Sequence, residues 1–252
     1  MEIYVLVDNE AKGGYLSEHG LSLYIKNNRQ NILFDTGQSD VFIKNAKSFG
    51  LDISDVDVLV ISHGHYDHGG GIKKFLKENK KAKVYINRNA FGKFFNALDK
   101  YIGIENINDS RIVLTDDYYE IGDIRLFTLN NFIDSSMINP YGLTKMKDNK
   151  KVFDDFRHEQ FMKIGQTLFS GCSHKGILNI INNCFDVKNV IGGFHLNKEE
   201  NKRVLAIAKK MQEYDIYYHT CHCTGVNSYA ILQSVLEERI KYIKAGEHII
   251  IK

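Results

Sequence analysis

Three histidines and one aspartate fall within six consecutive residues, from His63 to His68, in the order His-Gly-His-Tyr-Asp-His. The apolar run at residues 57–61 ends one residue before them and is typical of a buried strand. Glycines at residues 69–71 follow, and they permit a sharp bend before a helix predicted over residues 72–77. The sequence therefore predicts polar side chains held at the end of a buried strand.

These side chains are of the types that bind divalent metals. Imidazole and carboxylate are ligands of zinc, manganese and iron, and we expect zinc first. His63 and His65 are two residues apart, so an extended segment presents both to one ion. Asp67 and His68 begin a tighter turn and can reach a second ion. Because the set exceeds the needs of one tetrahedral site, we expect two divalent ions per chain.

Composition favours a compact enzyme. The chain has 252 residues, of which 43% are hydrophobic and 25% charged, so we expect one α/β domain over residues 1–252. The net charge of +2 leaves no large field for a polyanion, and we expect no nucleic-acid partner. The N-terminus lacks a signal peptide and no run approaches the length of a membrane span, which predicts a cytoplasmic protein with no membrane partner.

The four cysteines do not form the regular framework of a small secreted protein, so we expect reduced thiols. Cys184 continues the helical spacing of apolar residues that begins at Ile177, which favours a place in the core. Cys172 instead follows the apolar run at residues 167–170 and precedes His174 by two residues. This arrangement repeats the strand-to-ligand order of the first motif.

Periodicity predicts alternating strands and helices. Helices are expected over residues 40–49, after a capping box at Asn197 and Glu200, and after a cap at Asn227. Residues 132–156 show no clean period, and we expect there either a lid or binding loop that covers the substrate or a disordered crossing. Strands are expected near residues 2–7, 21–25, 31–35, 57–61, 83–87, 111–114, 123–129, 160–163, 166–170, 188–192, 215–219 and 248–251.

The motifs resemble one family. The segment His63-Gly-His65-Tyr-Asp67-His68 resembles the HxHxDH signature of the metallo-β-lactamase fold hydrolases, and residues 32–37 resemble that family's strand ending in Asp-Thr-Gly. The resemblance implies an α/β fold, the αββα sandwich of two mixed β-sheets flanked by helices, with the metals at one edge. Four further segments resemble the branch related to a dihydropterin-aminobenzene-phosphate synthase of methanopterin biosynthesis, namely residues 18–22, 170–174, 192–196 and 222–225.

The resemblance also implies further ligands. His174 resembles the family's third metal-binding segment, and His222 resembles its last histidine. Most relatives have a bridging aspartate where this chain has Cys172, so either the Cys172 thiolate takes that role or His174 occupies the position. Asp35 is expected to accept the ring N–H of a ligand histidine.

Two histidines have open roles. His195 ends an apolar strand and is a candidate ligand, proton donor or anion contact. His19, in an early loop, is a weaker candidate of the same sort.

Three functions are compatible with these features. The first is a dinuclear hydrolase in which a metal-bound hydroxide attacks a phosphoester or a phosphorylated small molecule, with Asp67 orienting the hydroxide and His195 assisting catalysis. The second is a synthase or transferase in a pterin-like pathway. The third is a non-catalytic metal-binding or redox module. Within this third class, a redox diiron role is disfavoured because His65 is not the glutamate that oxygen-reducing relatives usually carry.

Overall fold

The computed structural model describes residues 1–27, 29–131 and 141–251. The chain forms two compact units. Unit 1 comprises Met1–Asp116, Gly142–Asp154 and Lys244–Lys252, and unit 2 comprises Asp117–Tyr141 and Asp155–Ile243. The expectation of one domain over residues 1–252 stays a prediction.

Strands and helices alternate along much of the chain. The helices are α1 Val41–Ser48, α2 Tyr66–Gly69, α3 Ile72–Glu78, α4 Ile177–Asn182, α5 Asn201–Gln212 and α6 Val226–Leu236. The strands are β1 Glu2–Val7, β2 Ser22–Lys26, β3 Asn31–Phe34, β4 Val58–Ile61, β5 Lys83–Asn87, β6 Phe94–Phe95, β7 Ile112–Thr115, β8 Tyr118–Ile121, β9 Ile124–Phe127, β10 Thr144–Lys147, β11 Lys150–Phe153, β12 Phe161–Ile164, β13 Thr167–Ser170, β14 Asn189–Gly192, β15 Tyr217–Thr220, β16 Ile240–Tyr242 and β17 His248–Ile250.

Unit 1 contains a mixed sheet in the order β17-β1-β2-β3-β4-β5-β7. The pairs β3–β4, β4–β5 and β5–β7 are parallel. The pairs β17–β1, β1–β2 and β2–β3 are antiparallel. All four residues of β4 are buried, which explains its unbroken apolar sequence. Helices α1 and α3 place Phe42 and Phe75 in the same hydrophobic cluster as strand residues such as Leu59.

A small sheet in the order β11-β10-β6 completes unit 1. Residues 144–153 form a β-hairpin, which corrects the expectation of an irregular segment over residues 132–156, whereas the substrate-covering role stays a prediction. Strand β11 is exposed and β10 is at most half-buried, so no alternation of apolar and polar residues marked them in the sequence. Residues 132–140 of the expected lid lie outside the described residues.

Unit 2 contains a second mixed sheet, in the order β16-β15-β14-β13-β12-β9-β8. Strands β13 to β16 are parallel to one another, and the pairs from β8 to β13 are antiparallel. Helices α4, α5 and α6 contribute Ile180, Val204 and Leu232 to a hydrophobic cluster with strand residues such as Val190. Helices packed against a mixed sheet agree with the expected fold of mixed sheets flanked by helices.

The twelve predicted strands are confirmed with small shifts at their ends, whereas β6, β8, β10, β11 and β16 were missed because they are short or exposed. Both predicted caps are wrong. Helix α5 is preceded by Glu200, and α6 by Gly225, without a side-chain cap hydrogen bond at either position. Among the described residues, the helices are all too short or too polar to cross a membrane.

A substitution at Gly192 tests how closely the backbones of β13 and β14 approach each other. A Cβ atom at Gly192 would lie 1.7 Å from the Ser170 carbonyl oxygen, and its φ is +135°. Gly192→Ala should therefore lower the free energy of unfolding by about 3 kcal/mol or more, measured by urea titration. Gly122 is the control, since its φ is +60° with no atom within 4 Å of an added Cβ, and Gly122→Ala should cost about 1 kcal/mol. Equal losses would contradict the close approach.

Candidate metal centre

The site in unit 1 is built at the carboxyl ends of two neighbouring parallel strands. Asp35 follows β3 and Ser62 follows β4, so the pairing of these strands brings the two residues together. The Ser62 amide donates to Asp35 Oδ1 at 2.7 Å, and the Ser62 hydroxyl donates to Asp35 Oδ2 at 2.7 Å. Asp35 has a φ of +61°, a conformation that aspartate tolerates better than most residues.

The His68 turn is bound to the same carboxylate. Helix α2 is a single turn, and His68 Nδ1 lies 2.7 Å from Asp35 Oδ2 with both side chains fully buried. Thr36 fixes the backbone of this turn, since its amide and hydroxyl both donate to the His68 carbonyl, at 2.8 and 3.0 Å. The expected contact between Asp35 and a histidine ring is therefore present.

The hydrogen bonds determine which histidine nitrogens can bind a metal. Ser62 gives its one hydroxyl proton to Asp35, so its oxygen accepts from His63 Nδ1, which lies 2.8 Å away. His68 Nδ1 donates to the Asp35 carboxylate. Both rings therefore carry the proton on Nδ1 and the lone pair on Nε2, the tautomer that a metal ligand needs.

His65 and Asp67 lie beside these two histidines. The ring of His63 is 4.6 Å from that of His65 and 4.1 Å from that of His68, measured between centroids. Asp67 Oδ2 lies 3.8 Å from His68 Nε2 and 3.1 Å from His19 Nε2. The four residues of the motif are buried, whereas the His19 side chain is 53% exposed.

Gly20 allows the His19 loop to reach Asp67. A Cβ atom at Gly20 would lie 2.4 Å from the Asp67 carbonyl oxygen, and the φ of Gly20 is +149°. The adjacent Leu21 amide donates to that carbonyl at 3.2 Å. The loop before β2 thus lies directly against the turn that carries the candidate ligands.

Unit 2 repeats the same principle at the ends of its parallel strands. Cys172 and His174 follow β13, His195 follows β14, and His222 follows β15. Since these strands are adjacent and parallel, their carboxyl ends lie along one edge of the sheet. Ser173, His195 and His222 have φ values of +59°, +52° and +50°. Such strained backbone in non-glycine residues often marks a functional site.

His174 is held by its neighbours on several sides. Its ring stacks on Phe156 at 4.5 Å with an interplanar angle of 8°, and lies 4.2 Å from the ring of His195. Its amide donates to Glu159 Oε1 at 2.8 Å. The next residue, Lys175, donates its amide to Glu159 Oε2 at 3.0 Å. The loop is therefore fixed before any ligand binds.

Glu159 and Lys175 are both fully buried. Burial raises the pKa of Glu159 and lowers that of Lys175 to about 8, because each ion has lost its contact with water. The Lys175 ammonium donates to the Glu159 carbonyl at 3.1 Å and to Asn130 Oδ1 at 2.9 Å. The two opposite charges offset part of each other's desolvation cost and support the His174 loop.

His195 is fixed by Tyr141. The Tyr141 hydroxyl donates to the His195 carbonyl at 3.2 Å, and the ring centroids are 4.9 Å apart. Burial raises the pKa of Tyr141, with a further contribution from Glu199, so the hydroxyl stays protonated. The His195 ring is half-buried, which keeps one part of it accessible.

The cysteines Cys172 and Cys184 lie in different surroundings. All four cysteines are thiols. Cys172 is buried, and the Cys223 Sγ lies 3.5 Å from its carbonyl oxygen. Cys184 packs against the hydrophobic cluster of unit 2, and burial raises its pKa to about 12. Cys184 is therefore a core residue, as predicted.

Several residues of the site were missed or placed elsewhere by the sequence. Ser62 was overlooked although it directly precedes the motif. Phe156 and Tyr141 were assigned to a lid, whereas Phe156 is fully buried under His174 and Tyr141 contacts His195. No pattern in the sequence near Glu159 indicated its role, because the amides of His174 and Lys175 that it binds lie 15 and 16 residues further along the chain.

Comparison with known proteins agrees with this geometry. Residues 18–128 match the family model of the metallo-beta-lactamase superfamily. The crystal structure of Tm1679, described as a metal-dependent hydrolase of the beta-lactamase superfamily, has a TM-score of 0.82 and 29% identity, and covers 100% of this chain and 99% of that one. The predicted fold class and the resemblance to the metallo-beta-lactamase superfamily are therefore confirmed.

Two curated relatives come from Methanocaldococcus jannaschii. The 7,8-dihydropterin-6-methyl-4-(beta-D-ribofuranosyl)-aminobenzene-5'-phosphate synthase is 28% identical, with 98% of this chain and 95% of the relative covered. An uncharacterized protein is 29% identical, with 88% and 90% covered. A diphosphatase of the PhnP family shares the fold, with a TM-score of 0.56, 10% identity, and coverage of 100% of this chain and 98% of that one.

The Asp35 network can be tested in metal-free protein. Asp35→Asn places an amide N–H₂ against a donor of Ser62 or His68, so the free energy of unfolding should fall by about 2 to 3 kcal/mol in chelator. Asp40→Asn is the control, because it loses only a solvent-exposed pair with Lys44 and should leave the free energy of unfolding nearly unchanged. An Asp35→Asn variant with an unchanged free energy of unfolding would show that the hydrogen bonds of Asp35 are not needed for stability.

Proposed function

We propose that this protein is a divalent-metal-dependent hydrolase that acts on a phosphoester or another phosphorylated small molecule. The observation that carries the proposal is the buried group of His63, His65, Asp67 and His68 on one turn, supported by Asp35. The likeness to Tm1679, which is described as a metal-dependent hydrolase, supports the reaction class.

The residues present fit a metal centre by their chemistry. His63 and His68 each have their Nδ1 hydrogen-bonded, so Nε2 is the nitrogen that would bind an ion. His65 and Asp67 supply imidazole and carboxylate donors on the same turn. We propose that these four residues bind metal, and that Cys172, His174 and His222 in unit 2 are ligands as well. Two zinc ions suit this set of nitrogen, oxygen and sulfur donors.

Divalent ions, when bound, lower the pKa of water towards neutrality and polarise a phosphoryl oxygen. The protein's own residues would prepare the reacting groups. Asp67 would orient the attacking water through a carboxylate that His19 holds by a 3.1 Å contact. His195 would donate a proton to the leaving group from its half-exposed ring, which Tyr141 and His174 keep in place.

A phosphorylated substrate is supported by the relative from M. jannaschii, whose name describes a product with a 5'-phosphate. That same match favours a second candidate function. A synthase of this kind would use the metals to activate a substrate group for condensation, and net formation of a larger product without hydrolysis would identify it. The match over 98% of this chain keeps this candidate open.

Metal content and rate, measured together, test the hydrolase. We expect about two divalent ions per chain and turnover of aryl phosphates by the metal-loaded protein. Asp67→Ala should lower the rate by several orders of magnitude, because it removes a ligand that also orients water. His195→Ala should keep both ions yet lose most of the rate. His248→Ala is the control, since this histidine stacks on Tyr4 at the surface.

The outcomes separate the roles. An Asp67 variant with normal turnover would contradict the mechanism, and a His195 variant that loses an ion would make His195 a ligand. Metal analysis that saturates at one ion would contradict the dinuclear centre. Condensation activity without phosphatase activity would favour the synthase.

The cysteines give an independent test of the ligands in unit 2. Cys172→Ser should lower metal occupancy or turnover if Cys172 contacts metal. Cys184→Ser should change mainly the free energy of unfolding, by about 1 kcal/mol, because that thiol packs in the core. Inductively coupled plasma analysis and urea titration measure the two effects. Small and equal effects at both positions would mean that Cys172 is only a packing residue.

A further inference from the structure

We propose, on the basis of the hydrolase function proposed above, that a pocket in unit 2 binds the organic part of the substrate and that this part is an uncharged ring with an amide-like end. The pocket is lined by His174 and His195 and also by Glu199 and Arg203. It therefore joins the histidines of the strand ends to a charged pair at the start of α5, where Glu199 precedes the helix and Arg203 lies in its first turn.

The size of the pocket limits the group that it can hold. Its volume is about 190 Å³. An apolar cavity of about 150 Å³ holds benzene, so a single ring with one small substituent fills this pocket. A bicyclic or nucleoside group would extend out of the pocket, so that only part of it would contact the pocket walls.

The walls favour an apolar body. They include Ile177, Phe194, Leu196 and Ile207, with the ring of Tyr141 at one side. Removing apolar surface of the ligand from water against these side chains contributes about 25 cal/mol per Å². A ring binds there better than a flexible polar chain.

The charged pair selects the polar end of the ligand. Glu199 Oε1 lies 3.2 Å from Arg203 Nε, and the Glu199 side chain is only 6% exposed. The charges of the two side chains compensate each other, so a ligand group with a net charge would be buried without a counter-ion, at a cost in free energy. A carboxylate accepts hydrogen bonds and a guanidinium donates them. A primary carboxamide can donate its N–H to Glu199 and accept from Arg203 through its carbonyl oxygen.

Three phenols that differ in charge test this assignment. They are 4-hydroxybenzamide, 4-hydroxybenzoate and 4-hydroxybenzylamine, the products expected from the corresponding aryl phosphates. Binding to the metal-loaded protein is measured by ligand-observed NMR, and turnover is measured with the three phosphates. The amide should bind about 10-fold more tightly than either charged phenol, and its phosphate should have the highest kcat/KM.

Charge variants should reverse this preference. Glu199→Gln leaves the Arg203 charge alone and should favour 4-hydroxybenzoate, whereas Arg203→Gln should favour 4-hydroxybenzylamine. Glu200→Gln and Lys202→Gln are the controls, since both residues are exposed neighbours that do not line the pocket. If Glu199→Gln and Glu200→Gln have the same effect, the Glu199 to Arg203 pair only stabilises α5 and the proposal is wrong.

A filling variant tests the pocket itself. Ile207→Trp should lower affinity for the amide by about 10-fold or more and leave the metal content unchanged, whereas Leu205→Trp on the exposed side of α5 should change neither. Circular dichroism checks that both variants fold. Unchanged affinity in Ile207→Trp overturns the proposal.

The two proposals fail in different ways. Binding of the amide without turnover of any phosphate would contradict the hydrolase function but keep the pocket. Turnover of all three phosphates at equal rates, with no preference in binding, would keep the hydrolase function but contradict the pocket.

Discussion

A single buried carboxylate organises the site in unit 1. Asp35 accepts three hydrogen bonds of 2.7 Å, two from Ser62 and one from His68. Moving a carboxylate out of water costs several kcal/mol unless such bonds replace its hydration. The same bonds that meet this cost also join the end of β3, the end of β4 and the α2 turn. The positions of His63 and His68 therefore follow from the requirement to satisfy Asp35.

Unit 2 uses a related solution. Glu159 accepts the amides of His174 and Lys175, so a buried carboxylate again fixes a loop at the end of a strand. The left-handed backbone of Ser173 is held in that loop, and its hydroxyl donates to the Gly193 carbonyl at 2.7 Å. In both units, backbone strain at the strand ends is offset by hydrogen bonds that form before any ligand arrives.

The two proposals divide recognition of the substrate between different groups. Metal ligands would meet the charged phosphoryl group, since imidazole and carboxylate donors hold the cations that neutralise it. The pocket beside His174 and His195 carries compensating charges on Glu199 and Arg203, so it would recognise an uncharged group. A substrate with its charge at one end and a neutral ring at the other suits this division.

The sequence by itself determined the elements whose signal is local. The apolar run before His63 and the spacing of His63, His65, Asp67 and His68 lie within a dozen residues, so one strand and one turn could be predicted together. Core strands and the helices α1 and α3 followed from periodicity, because burial of one face repeats at fixed intervals.

Tertiary structure alone decided the partners that lie far apart in the chain. Phe156 under His174 and Tyr141 beside His195 depend on the folded path of unit 2, not on a pattern near either residue. The exposed β10 and β11 hairpin had no buried face to mark it. Local spacing can specify which residues are suited to bind a metal, but only packing brings in the buried groups that hold those residues in place.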